Sequence, residues 1–301
     1  MDVLVAGGSG FIGQHLCAEL SDRGHDVTAL SRDPDPENLP DDVETAMGDV
    51  SAYDSIVDAF EGQDAVVNLV ALSPLFEPKG GNEMHDKVHR QGTENCVQAA
   101  EEHDVDRFVQ MSALGADPDG PTHYIRSKGR AEEIVRDSTL DWVIFRPSVV
   151  FGEGGEFVYF TKRLKKMFAP GVPLYPLPGG GKKTRFQPIW VGDIVPMLAD
   201  AVEEDEHVGE TYELGGPEVL TLREITDMVY ESEDSSVTIV GLPMGLAGIG
   251  LKTLGVVPGF PMGGDQYRSL NFDNTTSDND IGAFGYDESD MTTFGEYLGV
   301  A

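Results

Sequence analysis

Tyr124 and Lys128 stand four residues apart in PTHYIRSKGRAEEIV, a stretch with helical patterning, so both side chains lie on one helix face. A phenol with its reference pKa of about 10 is a poor base at neutral pH, and a cation one turn away favours its ionised form. The pair is a candidate acid/base, with Tyr124 exchanging a proton and Lys128 tuning it. Tyr and Lys at this spacing are common by chance, so the surrounding elements decide what the pair means.

A second set of residues opens the chain. Residues 3 to 13 read VLVAGGSGFIG, in which Gly7, Gly10 and Gly13 form GxxGxxG and Gly8, Gly10 and Gly13 also satisfy GxGxxG. An apolar strand, a glycine turn and a helix start suit a pyrophosphate: the backbone turns sharply, approaches the phosphates closely and offers N–H groups with the positive helix dipole. Ser9, Phe11 and Ile12 complete that turn and join the glycines as candidate dinucleotide ligands. An NAD-selective site places an acid at the end of the second strand, whereas Arg there accommodates a 2′-phosphate. After DVTAL (26–30) the chain has Ser31 and Arg32, which favours NADP(H). Asp33, twenty residues past Gly13, is the competing ribose acid and would admit NAD(H). Asp49, beside Val50 after a short third strand, is placed either to meet the adenine amino group or to cap a helix.

The elements that must position these groups alternate regularly. VLVA (3–6), DVTAL (26–30), DAVVNLVAL (64–72), RFVQM (107–111) and DWVIF (141–145) read as buried parallel strands. Between them lie helical patterns: Ile12, Leu16 and Leu20; Ile56 with Phe60; and a long one from Asn82 to His103. This alternation predicts an α/β fold, a doubly wound parallel (Rossmann) sheet, with a smaller, discontinuous substrate-side domain. After Arg146 and Pro147 come glycine and proline clusters around a short basic helix, Thr161 to Phe168. VGDIVPMLADAVE, with Asp193 as its helix cap, and ETYELGG with the helix Leu222 to Glu231 read as returns to the sheet. The expected division is 1–150, with returns at about 189–234, against 151–188 and 235–301.

Composition removes several classes of function. Asp and Glu number 53 against 21 Lys and Arg, a net charge of −32, on an ordinary 40% hydrophobic content. Such a surface repels nucleic acid, which proteins engage through Lys and Arg. Acids spread from Asp2 to Asp290 rather than gathered in a tail match a surface adapted to concentrated salt. Cys17 and Cys96 give neither a metal spacing nor a disulfide framework, which fits a reducing cytoplasm. Met1 and Asp2 run straight into Val3 with no signal-peptide pattern, and the longest apolar stretch, Val237 to Val257, is broken by Pro243, glycines and Lys252. The expectation is a cytoplasmic protein with no transmembrane segment, at most peripheral to a membrane or held in a complex.

The glycine start, RSKGRAEEIV after Tyr124, FRPSVVFGEG (145–154), GGGKKTRFQPIWVGDI (179–194), TYELGGPEVLTLREI (211–225) and DQYRSLNFDN (265–274) together resemble the short-chain dehydrogenase/reductase superfamily in its extended and atypical branches. The likeness is greatest to the atypical group that includes the NAD(P)-binding accessory subunit of respiratory complex I and its prokaryotic relatives, often labelled NAD-dependent epimerase/dehydratase. The resemblance implies that Tyr124 is the acid/base, that Lys128 holds the nicotinamide ribose and lowers the Tyr pKa, and that Pro147 to Val149 lie beside the nicotinamide. The superfamily's third catalytic group, a Ser just after the fifth strand, falls on Ser112 or Ala113. The implied activity is an NAD(P)-dependent oxidoreductase or epimerase-like reaction at a carbonyl or carbinol carbon of a small molecule, NADP(H) preferred. The alternative is a cofactor-bound, non-catalytic structural or assembly subunit.

Weaker signals add little. His85 and His89 have the i, i+4 spacing of a metal pair but no third ligand, so they read as a solvated helix face and no metal is expected. The apolar segment Ile239 to Val257, with Met244, Leu246, Ile249, Leu251 and Leu254, reads as core of the smaller domain, the alternatives being the lining for an apolar substrate or a contact with a membrane protein.

Removing salt should strengthen self-repulsion among these 53 acids and destabilise the compact state. Thermal unfolding followed from dilute buffer to molar KCl is expected to show a rising midpoint; a flat or falling one overturns the salt-adaptation reading.

Overall fold

A computed structural model describes residues 1–243 and 263–300. Most of the apolar segment, including Met244, Leu246, Ile249, Leu251 and Leu254, lies outside the described residues. The chain divides into two compact units. One takes Met1–Leu72, Lys79–Pro147 and Val191–Glu213; the other takes Ser73–Pro78, Ser148–Trp190 and Leu214–Ala301.

The first unit is built on a seven-stranded sheet. Its strands are β1 (Asp2–Ala6), β2 (Asp26–Ser31), β3 (Glu44–Met47), β4 (Ala65–Asn68), β5 (Arg107–Met111) and β6 (Asp141–Pro147), with Thr211–Leu214 as the last. In space the order is Thr211–Leu214, β6, β5, β4, β1, β2, β3. Pairings among β1 to β6 are parallel, with Val3 opposite Val27 on one side and Ala65 on the other. Bonds from Ile144 N to Glu210 O and from Ser148 N to Leu214 O advance together along both chains, so the last strand is parallel as well. Helices cover both faces of such a sheet, which is why these strands read as unbroken apolar runs. Val3 to Ala6 and Ala65 to Val67 are wholly buried. The strand order reverses between β1 and β4, the point at which open parallel sheets bind ligands beyond the carboxyl ends of their strands.

Local structure departs from the periodicity in three places. Two short 3-10 turns, Tyr53–Ser55 and Val57–Phe60, replace the expected helix, with Ile56 between them and Phe60 ending the second. Both side chains are nonetheless buried, so the spacing reported burial and not winding. The pattern from Asn82 to His103 is not one α-helix: Asp86–Gln91 winds as a π-helix between Glu83–His85 and Gly92–Glu102. The basic helix extends further than expected, from Glu156 to Phe168. Among the described residues no helix is long and apolar enough to cross a membrane.

The second unit holds two hydrophobic clusters. Phe160, Leu164, Tyr175, Leu177 and Leu222 form one; Phe151, Phe157, Leu220, Ile225, Val229 and Phe294 form the other. The helix Leu222–Glu231 was expected with the sheet. It belongs to the second unit, because Leu222, Ile225 and Val229 pack into these clusters. Its start is fixed by a capping box between Thr221 and Glu224. Ser73–Pro78, which follows the loop after β4, also belongs there and contributes Leu75 and Phe76 to the first cluster.

Candidate active site

The glycine turn follows from steric limits. Gly7 has φ +88°, a conformation that side chains disfavour. A Cβ on Gly8 would lie 2.6 Å from Ala29 Cβ, and one on Gly13 only 2.2 Å from Gly7 O. The turn is drawn tight by bonds from Gly7 N to Leu30 O (2.8 Å), Gly8 N to Val5 O (3.0 Å) and Gly10 N to Gly7 O (2.9 Å). The helix Phe11–Asp22 starts from Gly10, which has no side chain to cap it, and carries no acid in its first turn. Phe11, Ile12 and Gly13 therefore present first-turn amides and a positive dipole end suited to an anion. A Cβ on Gly7 would also lie 3.3 Å from Leu69 C and Val70 N, so the loops after β1 and β4 meet at the reversal of strand order. This cradle, which side chains would fill, fits a dinucleotide pyrophosphate.

Around the end of β2 the polar groups converge. Ser9 and Ser31 join their hydroxyls at 3.1 Å, and Arg32 follows, exposed. Asp49 accepts a bond from Ser51 N–H at 2.9 Å. Burial raises its carboxyl pKa, but the Ser51 bonds and the charges of Arg32 and Lys87 outweigh that and hold it below the ordinary value. Val50 is buried against Gly92, and its carbonyl accepts from Asn95 Nδ2 at 2.7 Å. Lys87, which the motif spacing did not single out, thus adds a second cation near Asp49.

Tyr124 and Lys128 lie on the helix His123–Asp137, whose start Thr122 caps by accepting from Ile125 N–H at 3.2 Å. Lys128 is buried, and its ammonium donates to Met111 O at 2.8 Å. Desolvation pushes its pKa down to about 8, with Glu132 one turn on pulling the other way. Tyr124 is half-buried, and burial raises its phenol above the ordinary value. The sequence pattern led us to expect a depressed phenol. Here desolvation acts instead, and the Lys128 ammonium bonds a backbone carbonyl.

Ser112 has its hydroxyl engaged by Glu132. Its amide donates to Phe145 O at 2.6 Å. Glu132 is buried and also accepts from Arg146 Nε at 2.8 Å and from Arg136 Nη2 at 3.0 Å. Ala113, the other possibility for the third position, is buried and offers no polar group. At the end of β6, Pro147 O accepts from Leu114 N–H. In the second unit Ser148 Oγ and Val149 N both donate to Asn274 Oδ1, at 2.7 and 3.0 Å. Asn274 closes the DQYRSLNFDN block, which gives that block a function in fixing Ser148 and Val149.

His85 and His89 are not a solvated face. Both are 1% exposed, and their rings lie edge-on to the Tyr124 ring at 5.7 and 5.3 Å. The π-helix carries His89 inward, which a count of four residues could not show.

A family described as NAD(P)H-binding matches residues 7–168 of the 301, more than half of the chain. The mitochondrial NADH dehydrogenase (ubiquinone) 1 alpha subcomplex subunit 9 of Arabidopsis thaliana is 29% identical over 81% of this chain and 60% of its own length. The NADH-ubiquinone oxidoreductase 40 kDa subunit of Neurospora crassa is 28% identical over 75% of this chain and 58% of its own. The chain thus spans about three-fifths of the length of these relatives. The 2-alkyl-3-oxoalkanoate reductase of Stenotrophomonas maltophilia is 31% identical over 52% of this chain and 53% of its own. Among solved structures, MoeE5 in complex with UDP-glucuronic acid and NAD superposes with TM-score 0.74 at 21% identity, covering 100% of this chain and 97% of that one. Thermus thermophilus UDP-glucose 4-epimerase with NAD gives 0.72 at 22% identity, with the same coverage. These likenesses show the fold.

The depressed Lys128 pKa has a signed consequence for stability. Between the folded value of about 8 and the model-peptide value of 10.5 the unfolded chain binds the extra proton, so this lysine makes stability rise with pH across that window. Buried Cys17 and Cys96, pushed up to about 12, oppose it above their ordinary value of 9.0, so a difference measurement is needed. The stability of Lys128→Met minus that of the parent is expected to fall by about 3 kcal/mol in denaturant titrations across the window. A pH-independent difference would mean that the ammonium is not desolvated.

Proposed function

The chain belongs to the NAD(P)H-binding family, and from that premise we propose that it is an NADP(H)-preferring oxidoreductase or epimerase-like enzyme acting at a carbonyl or carbinol carbon of a small molecule. The observation that carries this reading is the buried Lys128 held on Met111 O, one helical turn from a half-buried Tyr124, beyond the carboxyl end of a sheet that begins with the glycine turn. The nicotinamide, when bound, supplies or accepts the hydride. Gly7, Gly8, Gly10 and Gly13 with the amides of Ser9, Phe11 and Ile12 hold the pyrophosphate. Ser31 and Arg32 hold the 2′-phosphate, and Asp49 and Val50 flank the adenine. Pro147 and Val149 border the nicotinamide. Tyr124 gives its hydroxyl proton to the substrate oxygen on reduction and takes it back on oxidation. Lys128 hydrogen-bonds the nicotinamide ribose. Ser112 is a positioning residue, since its hydroxyl anchors Glu132.

A second reading has its own support. With Ser112 bonded to Glu132 and complex I subunits among the relatives, a cofactor-bound subunit that does not turn over is the alternative, its fold stabilised by NADPH through mass action. The acidic surface supports work in concentrated salt. A cytoplasmic location fits two buried free cysteines.

Two measurements test the proposal. Binding titrations are expected to show NADPH tighter than NADH by about ten- to a hundredfold, one charged hydrogen bond's worth, with Arg32→Asp reversing the order. Equal affinities in the parent reject Arg32 as the phosphate ligand. In steady-state assays across a panel of carbonyls and alcohols, Tyr124→Phe is expected to keep NADPH affinity and lose about a hundredfold or more in turnover. Near-parental turnover removes Tyr124 from the chemistry, and failure of the parent on every compound puts the subunit reading ahead.

A further inference from the structure

His89 is a buried imidazole with a partner on each nitrogen. Leu72 N–H donates to Nε2 at 2.8 Å, and Nδ1 lies 2.9 Å from Ser127 Oγ. Because a backbone amide only donates, Nε2 is the bare nitrogen and Nδ1 carries the proton. Nδ1–H therefore donates to Ser127 Oγ, and the Ser127 hydroxyl in turn donates to the backbone carbonyl oxygen of Tyr124 at 2.8 Å. The same imidazole packs edge-on to the Tyr124 ring, 5.3 Å between centroids at 89°. His85 packs on that ring as well, at 5.7 Å and 84°, and the two imidazoles lie 5.2 Å apart. The phenol ring is thus packed by two imidazole edges, while Ser127 bonds the backbone carbonyl of the same residue. His89 sits within the π-helix Asp86–Gln91, a rare winding that recurs at functional sites.

Resting on the assignment of Tyr124 as acid/base, we propose that His89 is a positioning residue: a neutral, Nδ1-protonated imidazole that ties the loop after β4, at Leu72, to Ser127 and so fixes the direction of the Tyr124 ring. It does not shuttle protons, because the chain of bonds ends on a backbone carbonyl oxygen, too weak a base to take up a proton. Its surroundings keep it neutral. Burial first, then the charges of Lys128 and His85, hold its pKa well below the ordinary histidine value.

The test uses the full chain. With 15N-labelled histidine, one of the seven residues is expected to show the neutral Nδ1–H pattern unchanged from about pH 8 to about pH 5, and to disappear in His89→Phe. His89→Phe keeps a ring edge against Tyr124 but removes both bonds; it is expected to lower kcat by up to about a hundredfold while NADPH Kd stays within about threefold. His89→Gln, which keeps one donor and one acceptor, is expected to regain part of that loss. A merely structural role would lower Tm without separating kcat from Kd. The proposal is overturned if His89 titrates like an ordinary histidine, if His89→Phe retains parental kcat, or if NADPH affinity and kcat fall together. Should the parent turn over nothing, the acid/base assignment fails but positioning is still read out. The ring resonances of Tyr124, identified with Tyr124→Phe, are expected to shift and broaden in His89→Phe, and unchanged resonances overturn it.

Discussion

Everything in the proposed site leans on one desolvated contact, the ammonium of Lys128 against the carbonyl of Met111 at the end of β5. A buried cation is tolerated only where polar groups replace water. That carbonyl also accepts from Gln110 Nε2, and Gln110 in turn accepts from Asn68 and Thr93. Asn68 ends β4, and its side-chain oxygen accepts from Val70 N–H in the loop that meets the glycine turn. A continuous buried polar path therefore runs from the lysine to the reversal of strand order. Such a network specifies a single arrangement because leaving any member unpaired is costly.

The helix His123–Asp137 carries a second buried charge one turn beyond Lys128. Glu132 is satisfied by Arg146 on β6, by Arg136 and by the Ser112 hydroxyl. Opposite charges on one helix are thus tied to the ends of two neighbouring strands, β5 by the lysine and β6 by the glutamate. Arg146 is held more firmly protonated than usual by the same pairing. This pinning explains why a Ser at the end of β5 need not reach a substrate: its hydroxyl is already part of the ion-pair cluster that seats the helix.

The sheet was legible because buried parallel strands leave an unmistakable mark, VLVA and DAVVNLVAL with no alternation, and because Gly8 and Gly13 answer to contacts that no side chain survives and Gly7 to a positive φ. Tyr124 and Lys128 were legible as a pair for the same reason that any i, i+4 pair is. What spacing could not carry was direction. His85 and His89 read as solvated, yet both are buried, His85 on the turn before the π-helix and His89 within it. Ile56 and Phe60 read as helical, yet they are buried by turns. Glu132 and Gln110 gave no signal at all, since a buried Glu or Gln looks like a surface one until its partners, Arg146 or Asn68, are brought in from distant sequence.

The two functional readings make different physical demands on these groups. Holding a dinucleotide requires the glycine turn, the polar groups at the end of β2 and a cation for the ribose; nothing in that requirement concerns a phenol. Tyr124 is nonetheless fixed more elaborately than any of them, by two imidazole rings and a hydroxyl that bonds its own carbonyl. Seating those imidazoles takes a π-helix and two buried polar side chains, both of which cost stability unless matched. Cofactor affinity gains nothing from the direction of a tyrosine ring, whereas proton transfer depends on it to within a fraction of an ångström. The way the chain orders Tyr124 therefore favours chemistry at that hydroxyl over a purely structural use of the bound nucleotide.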